Sequence, residues 1–103
     1  MRAGALDRRV TIQRATLEDD GYGSVEVWAD WLTVSAQIVQ QGGREFLAAA
    51  QVQAVVRVLF RLRWIEGVSV LDRVVYDNRL HNIQEVRELG RREGLELMTV
   101  AAA

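Results

Sequence analysis

The sequence predicts a mostly β fold, a small antiparallel β-barrel of about six strands with one short α-helix inserted after the second strand. The run VVRVLFRLRW at 55–64 alternates apolar and polar residues, with the period of two that a half-buried strand requires. Further short alternating runs are separated by turn residues, mainly Gly, Asn and Asp. An open sheet this small would leave its edges and core unprotected, so we expect the sheet to close.

The chain has 103 residues and a formal net charge of −1, which predicts one domain over 1–103 with its core at about 4–100. It contains no Cys, which excludes disulfides and zinc–thiolate sites. No run approaches the roughly 18 apolar residues of a membrane span, and the N-terminus does not read as a signal peptide. We therefore expect a soluble, cytoplasmic protein with no membrane partner and no cofactor.

The first strand is expected at 9–15, where Val10 and Ile12 share one face. The segment 17–24, LEDDGYGS, is expected to form a long exposed hairpin loop, because Asp and Gly tolerate turn conformations. A second strand follows at 25–40, but its apolar phase slips by one residue. Such a slip exchanges the faces of a strand, so we predict a bulge or sharp bend at 29–31.

The predicted helix is REFLAAAQVQ at 44–53, after Gly42 and Gly43. Its three alanines with flanking Glu, Leu and Gln have high helix propensity. Phe46, Leu47 and Ala50 would form one stripe facing the sheet. At about ten residues this helix would be held by packing, since it is too short to be stable alone in water.

The remaining elements follow in hairpin order. After the strand at 55–64 we expect a connection through Gly67, a strand at 72–76, a tight turn at 77–79 and a returning strand at 80–89. A turn at 90–94 leads to a last strand in which Leu95, Leu97 and Thr99 face inward.

Residues that could support catalysis are scarce, so we predict that the chain is not an enzyme. His81 is the only histidine, and we expect it to be a surface or hairpin residue. The DDGYG segment lacks the alternating ligands of a calcium loop and is expected to be a solvated acidic loop. Gly42-Gly43 lacks the Lys and hydroxyl of a phosphate-binding loop, and a helix start explains the pair.

Two features point instead to binding surfaces. Arg57, Arg61 and Arg63 occupy the polar positions of one strand, so that face must meet solvent, an acidic partner or nucleic acid. Trp28 and Trp31 cannot both face one side of a regular strand. Two alternatives follow. In one, at least one ring is exposed, as Trp often is at surfaces that partners cover; in the other, both rings pack in the core or at its rim.

Taken together, six segments resemble the phage head-tail joining family, also called head closure or stopper proteins. They are GALDRRVTIQR (4–14), DDGYGSVEVWADW (19–31), AQIVQQGGREFLAAA (36–50), RVLFRLRW (57–64), RVVYDNRLHNIQEV (73–86) and GLELMTV (94–100). The resemblance lies in the order and spacing of the segments. The chain departs from it at Trp64, where the family commonly has a tyrosine, and at 77–79, where a glycine-arginine turn is usual.

This resemblance implies a small β-barrel with a short helix, assembled as a ring homo-oligomer beneath the portal of a tailed phage or prophage. The ring would contact the portal or adaptor protein and a tail-completion or tail-tube protein. It would join head to tail and help to retain packaged DNA, which passes through the channel without sequence-specific binding. The expected location is the virion, after assembly in the host cytoplasm.

For that role the residues supply candidate contacts and candidate hinges. Opposite charges for contacts between subunits would come from the acidic loop and the Arg-bearing strand, and Trp28 is a further interface candidate. The interface candidates are Glu18, Asp19, Asp20, Tyr22, Trp28, Arg57, Arg61 and Arg63. The gating or hinge candidates are Gly21, Gly23, Gly42 and Gly43.

The alternative function is an OB-like barrel that binds nucleic acid. In it, the Arg-bearing strand and exposed Trp or Tyr rings would form a groove for stacked bases. Salt-sensitive affinity for single-stranded DNA would favour this alternative over the connector.

Overall fold

A computed structural model shows an antiparallel β fold and describes residues 6–48 and 51–102. The strands are β1 (Arg8–Asp19), β2 (Ser24–Ala48), β3 (Gln51–Arg63), β4 (Arg73–Tyr76), β5 (Arg79–Leu89) and β6 (Gly94–Ala102). They pair in the order β1-β2-β3-β6-β5-β4 as a closed barrel. The closing contact joins β1 to β4, where Thr11, Ile12 and Gln13 lie opposite Val75, Val74 and Arg73.

The expected fold class is wrong because the helix predicted at 44–53 is absent. Arg44–Ala48 belongs to β2 and Gln51–Gln53 to β3, and the two segments pair with each other. Ala49 and Ala50 lie outside the described residues. Helix propensities differ by less than about 0.7 kcal/mol per residue, so the pairing of two strands that are already in register outweighs them. Over 6–48 and 51–102 no helix could cross a bilayer.

The interior of the barrel is filled by apolar side chains from all six strands. The alternation in β3 is confirmed, since Val58, Phe60 and Leu62 are buried. The inward positions predicted on the last strand are confirmed as well, and the buried Thr99 hydroxyl donates to the Val58 carbonyl at 2.8 Å. The buried cluster comprises Val10, Ile12, Ala36, Val58, Phe60, Leu62, Val74, Ile83, Leu95 and Leu97.

A β-bulge interrupts the pairing of β1 and β2, as the slip in apolar phase predicts. Leu32 lies opposite Ile12 and Asp30 opposite Gln13, so Trp31 is the extra residue on β2. Similar shifts leave Val39 unmatched on β2 and Gln84 unmatched on β5. Bulges increase strand twist and bending, which a barrel this small needs in order to close.

The β4–β5 hairpin confirms the predicted tight turn. Asp77 and Asn78 have φ angles of 54° and 59°, the left-handed conformation at both central residues that marks a two-residue type I′ turn. Asp and Asn adopt this conformation more readily than most residues. The turn places Tyr76 opposite Arg79 and fixes the register of the two strands.

Two hairpins extend beyond the barrel wall. The acidic arm, residues 14–29, continues past the last pairing of β1 with β4, and its tip is residues 17–24. The second arm, residues 45–48 and 51–54, continues past the pairing of β3 with β6. Because consecutive antiparallel connections alternate between ends, the arms leave from opposite ends of the barrel. The accessible surface is 7072 Å², against about 5,800 Å² for a compact monomer of this mass.

A buried carboxylate ties the closing contact to the connection between β3 and β4. Asp72 is 4% exposed and accepts hydrogen bonds from Arg14 Nε at 3.1 Å and Nη2 at 3.2 Å. Its Oδ2 also accepts from the Ser69 amide at 3.0 Å. Arg14 Nη2 donates in addition to the Gly67 carbonyl at 2.8 Å. The Arg14 side chain therefore links β1 to the β3–β4 connection, which has few backbone hydrogen bonds of its own.

We predict that Asp72→Asn lowers the free energy of unfolding by about 2 kcal/mol, because charge-assisted hydrogen bonds to a buried group are lost. Urea unfolding followed by Trp fluorescence measures the change. Glu66→Gln, an exposed acid on the same connection, is the matched control and should leave stability unchanged. Equal stability of the two variants would contradict the role assigned to Asp72.

His81 lies in the β4–β5 hairpin, as expected, but it is buried rather than on the surface. It is 3% exposed, and its ring packs edge-on against Phe60 with centroids 5.4 Å apart. Neither ring nitrogen has a hydrogen-bond partner among the described residues. A cavity of about 280 Å³ beside it is lined in part by Tyr76, Asp77 and Arg79. Burial lowers the pKa of His81 because it disfavours the imidazolium. The nearby Tyr76 backbone acts against this, and the charge of Arg79 acts in the same direction as burial.

We predict that this burial makes folding weaker in acid. The unfolded chain takes up a proton at His81 near pH ~6.5, whereas the folded chain resists it, so stability is full above that pH and falls as the pH drops below it. Urea unfolding at pH values on both sides of ~6.5 measures the effect. The free energy of unfolding should fall less in acid for His81→Phe than for the parent protein. Identical pH dependence in the two proteins would contradict the prediction.

Candidate assembly surfaces

The turn at the tip of the acidic arm is short and internally bonded. β1 runs to Asp19 and β2 begins at Ser24, so the long loop expected at 17–24 is reduced to residues 20–23. The Asp20 amide donates to the Gly23 carbonyl at 3.0 Å, and the Asp20 carboxylate accepts from the Tyr22 amide at 2.9 Å. Gly21 has a φ of 90° and Gly23 one of 151°, which other residues rarely adopt. The two glycines therefore shape the turn.

The tip presents acidic and apolar groups together. Tyr22 is fully exposed and Leu17 is 74% exposed. Glu18, Asp19 and Asp20 are exposed around them, and the segment 17–25 contains no basic residue. No cluster of three potential metal ligands occurs among the described residues. An exposed aromatic ring beside carboxylates is suited to a partner surface that is basic and partly apolar.

The base of the acidic arm is held on both faces by arginines stacked on tryptophans. Arg73 lies over the Trp28 ring at 4.0 Å, and Arg14 lies over the Trp31 ring at 3.7 Å. The hydrogen bond to Asp72 raises the pKa of Arg14, with its Coulombic attraction acting in the same direction against desolvation. We call these two stacks, together with the polar bonds beside Trp28, the arm brace. They fix the direction in which the arm leaves the barrel.

Polar bonds beside the Trp28 stack complete the arm brace. Arg73 Nε donates to Gln13 Oε1 at 2.8 Å, and Gln13 Nε2 donates to Asp30 Oδ1 at 2.8 Å. The ring nitrogen of Trp28 donates to Glu26 at 2.8 Å. Sequence analysis did not single out Arg14, Asp72 or Arg73, since nothing local distinguishes them. Their partners lie up to 60 residues away.

The Arg-bearing strand does not offer three equivalent charges. Arg61 Nη2 is 2.7 Å from Glu96 Oε2 across the β3–β6 pairing, and Glu96 is 7% exposed. Arg87 approaches the other oxygen of Glu96 at 3.8 Å. Arg57, in the middle of β3, and Arg63, at its end, are exposed. The charge of Arg61 is therefore largely balanced within the chain.

A groove of about 460 Å³ lies on the wall formed by β1, β2 and the end of β3. We call it the basic groove. Its polar side chains include Arg9 and Arg63, and its apolar ones include Trp64 and Ile65. The remaining lining residues are Leu6, Thr33, Val34 and Ser35. Sequence analysis identified Arg63 but missed Arg9, because the two come together only when β1 and β3 flank β2.

Gly42 and Gly43 lie within β2, in the barrel wall just before the second arm. Gly42 is opposite Arg57 and Gly43 is opposite Val56. They therefore do not precede a helix, and the phosphate-binding alternative weighed for this pair has no helix N-terminus to support it. As hinges they would act on a paired hairpin.

Comparison with known proteins agrees with this fold. A family model described as phage head completion protein matches residues 1–102. Among solved structures, a chain described as "Virion of native gene transfer agent (GTA) particle" is similar, with a TM-score of 0.77 over 95% of this chain and 96% of that chain. The two are 20% identical, so the likeness concerns the fold. No curated protein matches. Because the family model spans nearly the whole chain, this protein belongs to the phage head completion family and is a structural protein of the virion.

Proposed function

We propose that the chain assembles as a ring between the portal or its adaptor and the tail, joins head to tail, and helps to retain packaged DNA. The observation that carries this proposal is a closed barrel with two hairpin arms that leave from opposite ends. A subunit placed between two different partners needs two distinct ends. Membership of the phage head completion family supports the same role.

Ring contacts require two different complementary surfaces on each subunit. The acidic arm supplies one, through Glu18, Asp19, Asp20 and Tyr22. Arg57 and Arg63 supply the opposite charge, whereas Arg61 is balanced by Glu96. The accessible surface exceeds that of a compact monomer by about a fifth, which favours a subunit that buries further area on assembly.

Passage of DNA through the ring favours weak rather than tight phosphate binding, because each neutralised phosphate adds affinity through counterion release. The net charge of −1 is consistent with this. Closing and opening the channel requires a segment that changes position. Gly21 and Gly23 at the acidic tip, or Gly42 and Gly43 just before the second arm, are the proposed hinges.

The OB-like alternative needs aromatic rings that are free to stack on bases. Trp28, Trp31 and Trp64 each have an arginine of the same chain over the ring, at 4.0, 3.7 and 5.5 Å. One face of each ring is thus already engaged, which disfavours a stacking groove at these residues.

We predict that particles made without this chain fill with DNA, fail to retain it and carry no tail, because the connection below the portal is missing. Electron microscopy and nuclease-protected DNA per particle measure the two effects, and supplying the parent chain should restore both. Tailed, DNA-filled, infectious particles in its absence would contradict the proposed function.

We predict weak, sequence-independent binding of the purified chain to single-stranded DNA. Fluorescence anisotropy at ~50 and ~200 mM salt measures it, since a binding groove with several phosphate contacts would lose affinity steeply over that range. Tight, strongly salt-dependent binding would favour the OB-like function instead.

A further inference from the structure

We propose that the basic groove is the acceptor for the acidic tip of a second copy of this chain. The proposal rests on the proposed ring and names the contact that would build it. The contact joins one hairpin tip to one groove, rather than two charged faces, and it adds Arg9 and Trp64 to the interface.

The chemistry of the basic groove fits an acidic, partly apolar hairpin tip. Arg9 and Arg63 are exposed at its rim, and among the described residues neither lies within 4 Å of a carboxylate. Among the described residues, the one hydrogen-bond acceptor of the Arg9 side chain is the Ser35 hydroxyl, at 3.1 Å. Trp64 and Ile65 are partly buried in the lining. Two cations beside apolar surface favour a ligand with both carboxylates and an apolar side chain.

The acidic tip presents those groups. Tyr22 is fully exposed and provides an aromatic ring with a polar end. Asp19 and Asp20 each use one carboxylate oxygen within the turn, so the other oxygen of each remains available. Glu18 is exposed and has no hydrogen bond among the described residues. The cavity volume of about 460 Å³ is ample for one aromatic side chain.

The tip cannot reach the groove of its own subunit. Ser24, at the tip, and Thr33, in the groove, are nine residues apart on the same strand, a separation of about 30 Å. Both residues belong to one continuous strand, β2, which keeps them apart. The groove must therefore receive the tip of another subunit.

The arm is long enough and sufficiently ordered to make this contact. Residues 14–19 extend past the barrel by about 20 Å at the strand rise, comparable with the smallest dimension of the chain, 23 Å. The arm brace orders the base of the arm before binding, which reduces the entropy lost on association. A tip-to-groove contact is heterologous, so its repetition produces a ring if the rotation closes.

Cysteine cross-linking tests the contact, because the parent chain has no cysteine. We expect the double variant Tyr22→Cys/Thr33→Cys, oxidised within assembled particles, to give a ladder of disulfide-linked oligomers. The matched control Tyr22→Cys/Glu85→Cys keeps the same tip thiol but moves its partner to β5, on the opposite wall of the barrel. That control should remain monomeric.

Charge exchange gives a second measurement that does not depend on disulfide geometry. In the double-cysteine chain, Arg63→Glu or Glu18→Arg alone should lower the cross-linked fraction about tenfold, because like charges then face each other. The two changes together should restore it. Arg79→Glu and Glu85→Arg, exposed on β5 at the opposite wall of the barrel, should have no effect.

The outcomes separate this contact from the proposed function. No ladder in infectious particles that contain the variant chain would overturn the tip-to-groove contact while leaving the neck role intact. Linked dimers without higher oligomers would indicate an isologous contact and would also overturn it. Normal head–tail joining by particles that lack the chain altogether would overturn the proposed function itself.

Discussion

The short pairing between β1 and β4 is the constraint on which the rest of the structure depends. Three residue pairs close the barrel, and every other contact between neighbouring strands is longer, the shortest of them being the four-pair β4–β5 hairpin. Without closure, β1 and β4 would present open strand edges and the core would be exposed on one side. Asp72 and Arg14 stabilise this contact from one side, and Gln13 and Arg73 from the other. The acidic arm begins at the same place.

Closure of the barrel is therefore coupled to the position of the acidic arm. The side chains that hold β1 against β4 are also those that stack on Trp28 and Trp31 at the base of the acidic arm. A force on the arm would act directly on the barrel seam. Such coupling suits a subunit whose proposed contacts are made by an extended hairpin, because the hairpin remains oriented before its partner arrives.

Not every arginine in the sequence has a charge that is available for contacts with other subunits. Arg14, Arg61 and Arg73 are bonded within the chain, to Asp72, Glu96 and Gln13. Arg9 and Arg63 line an open groove, and among the described residues neither lies within 4 Å of a carboxylate. A charged residue on an outward-facing position of a strand is thus a candidate contact only after its cross-strand neighbours are known.

The sequence by itself determined the strand faces, the 77–79 turn and the bulge at Trp31, because a period of two, left-handed turn residues and a slip in phase are local signals. Only the tertiary structure decided that 44–48 and 51–53 are strands, because cross-strand pairing outweighs modest helix propensity. It alone buried His81, paired Arg61 with Glu96 and brought Arg9 beside Arg63. Each of these depends on which strands become neighbours when the barrel closes, and no local pattern encodes that order.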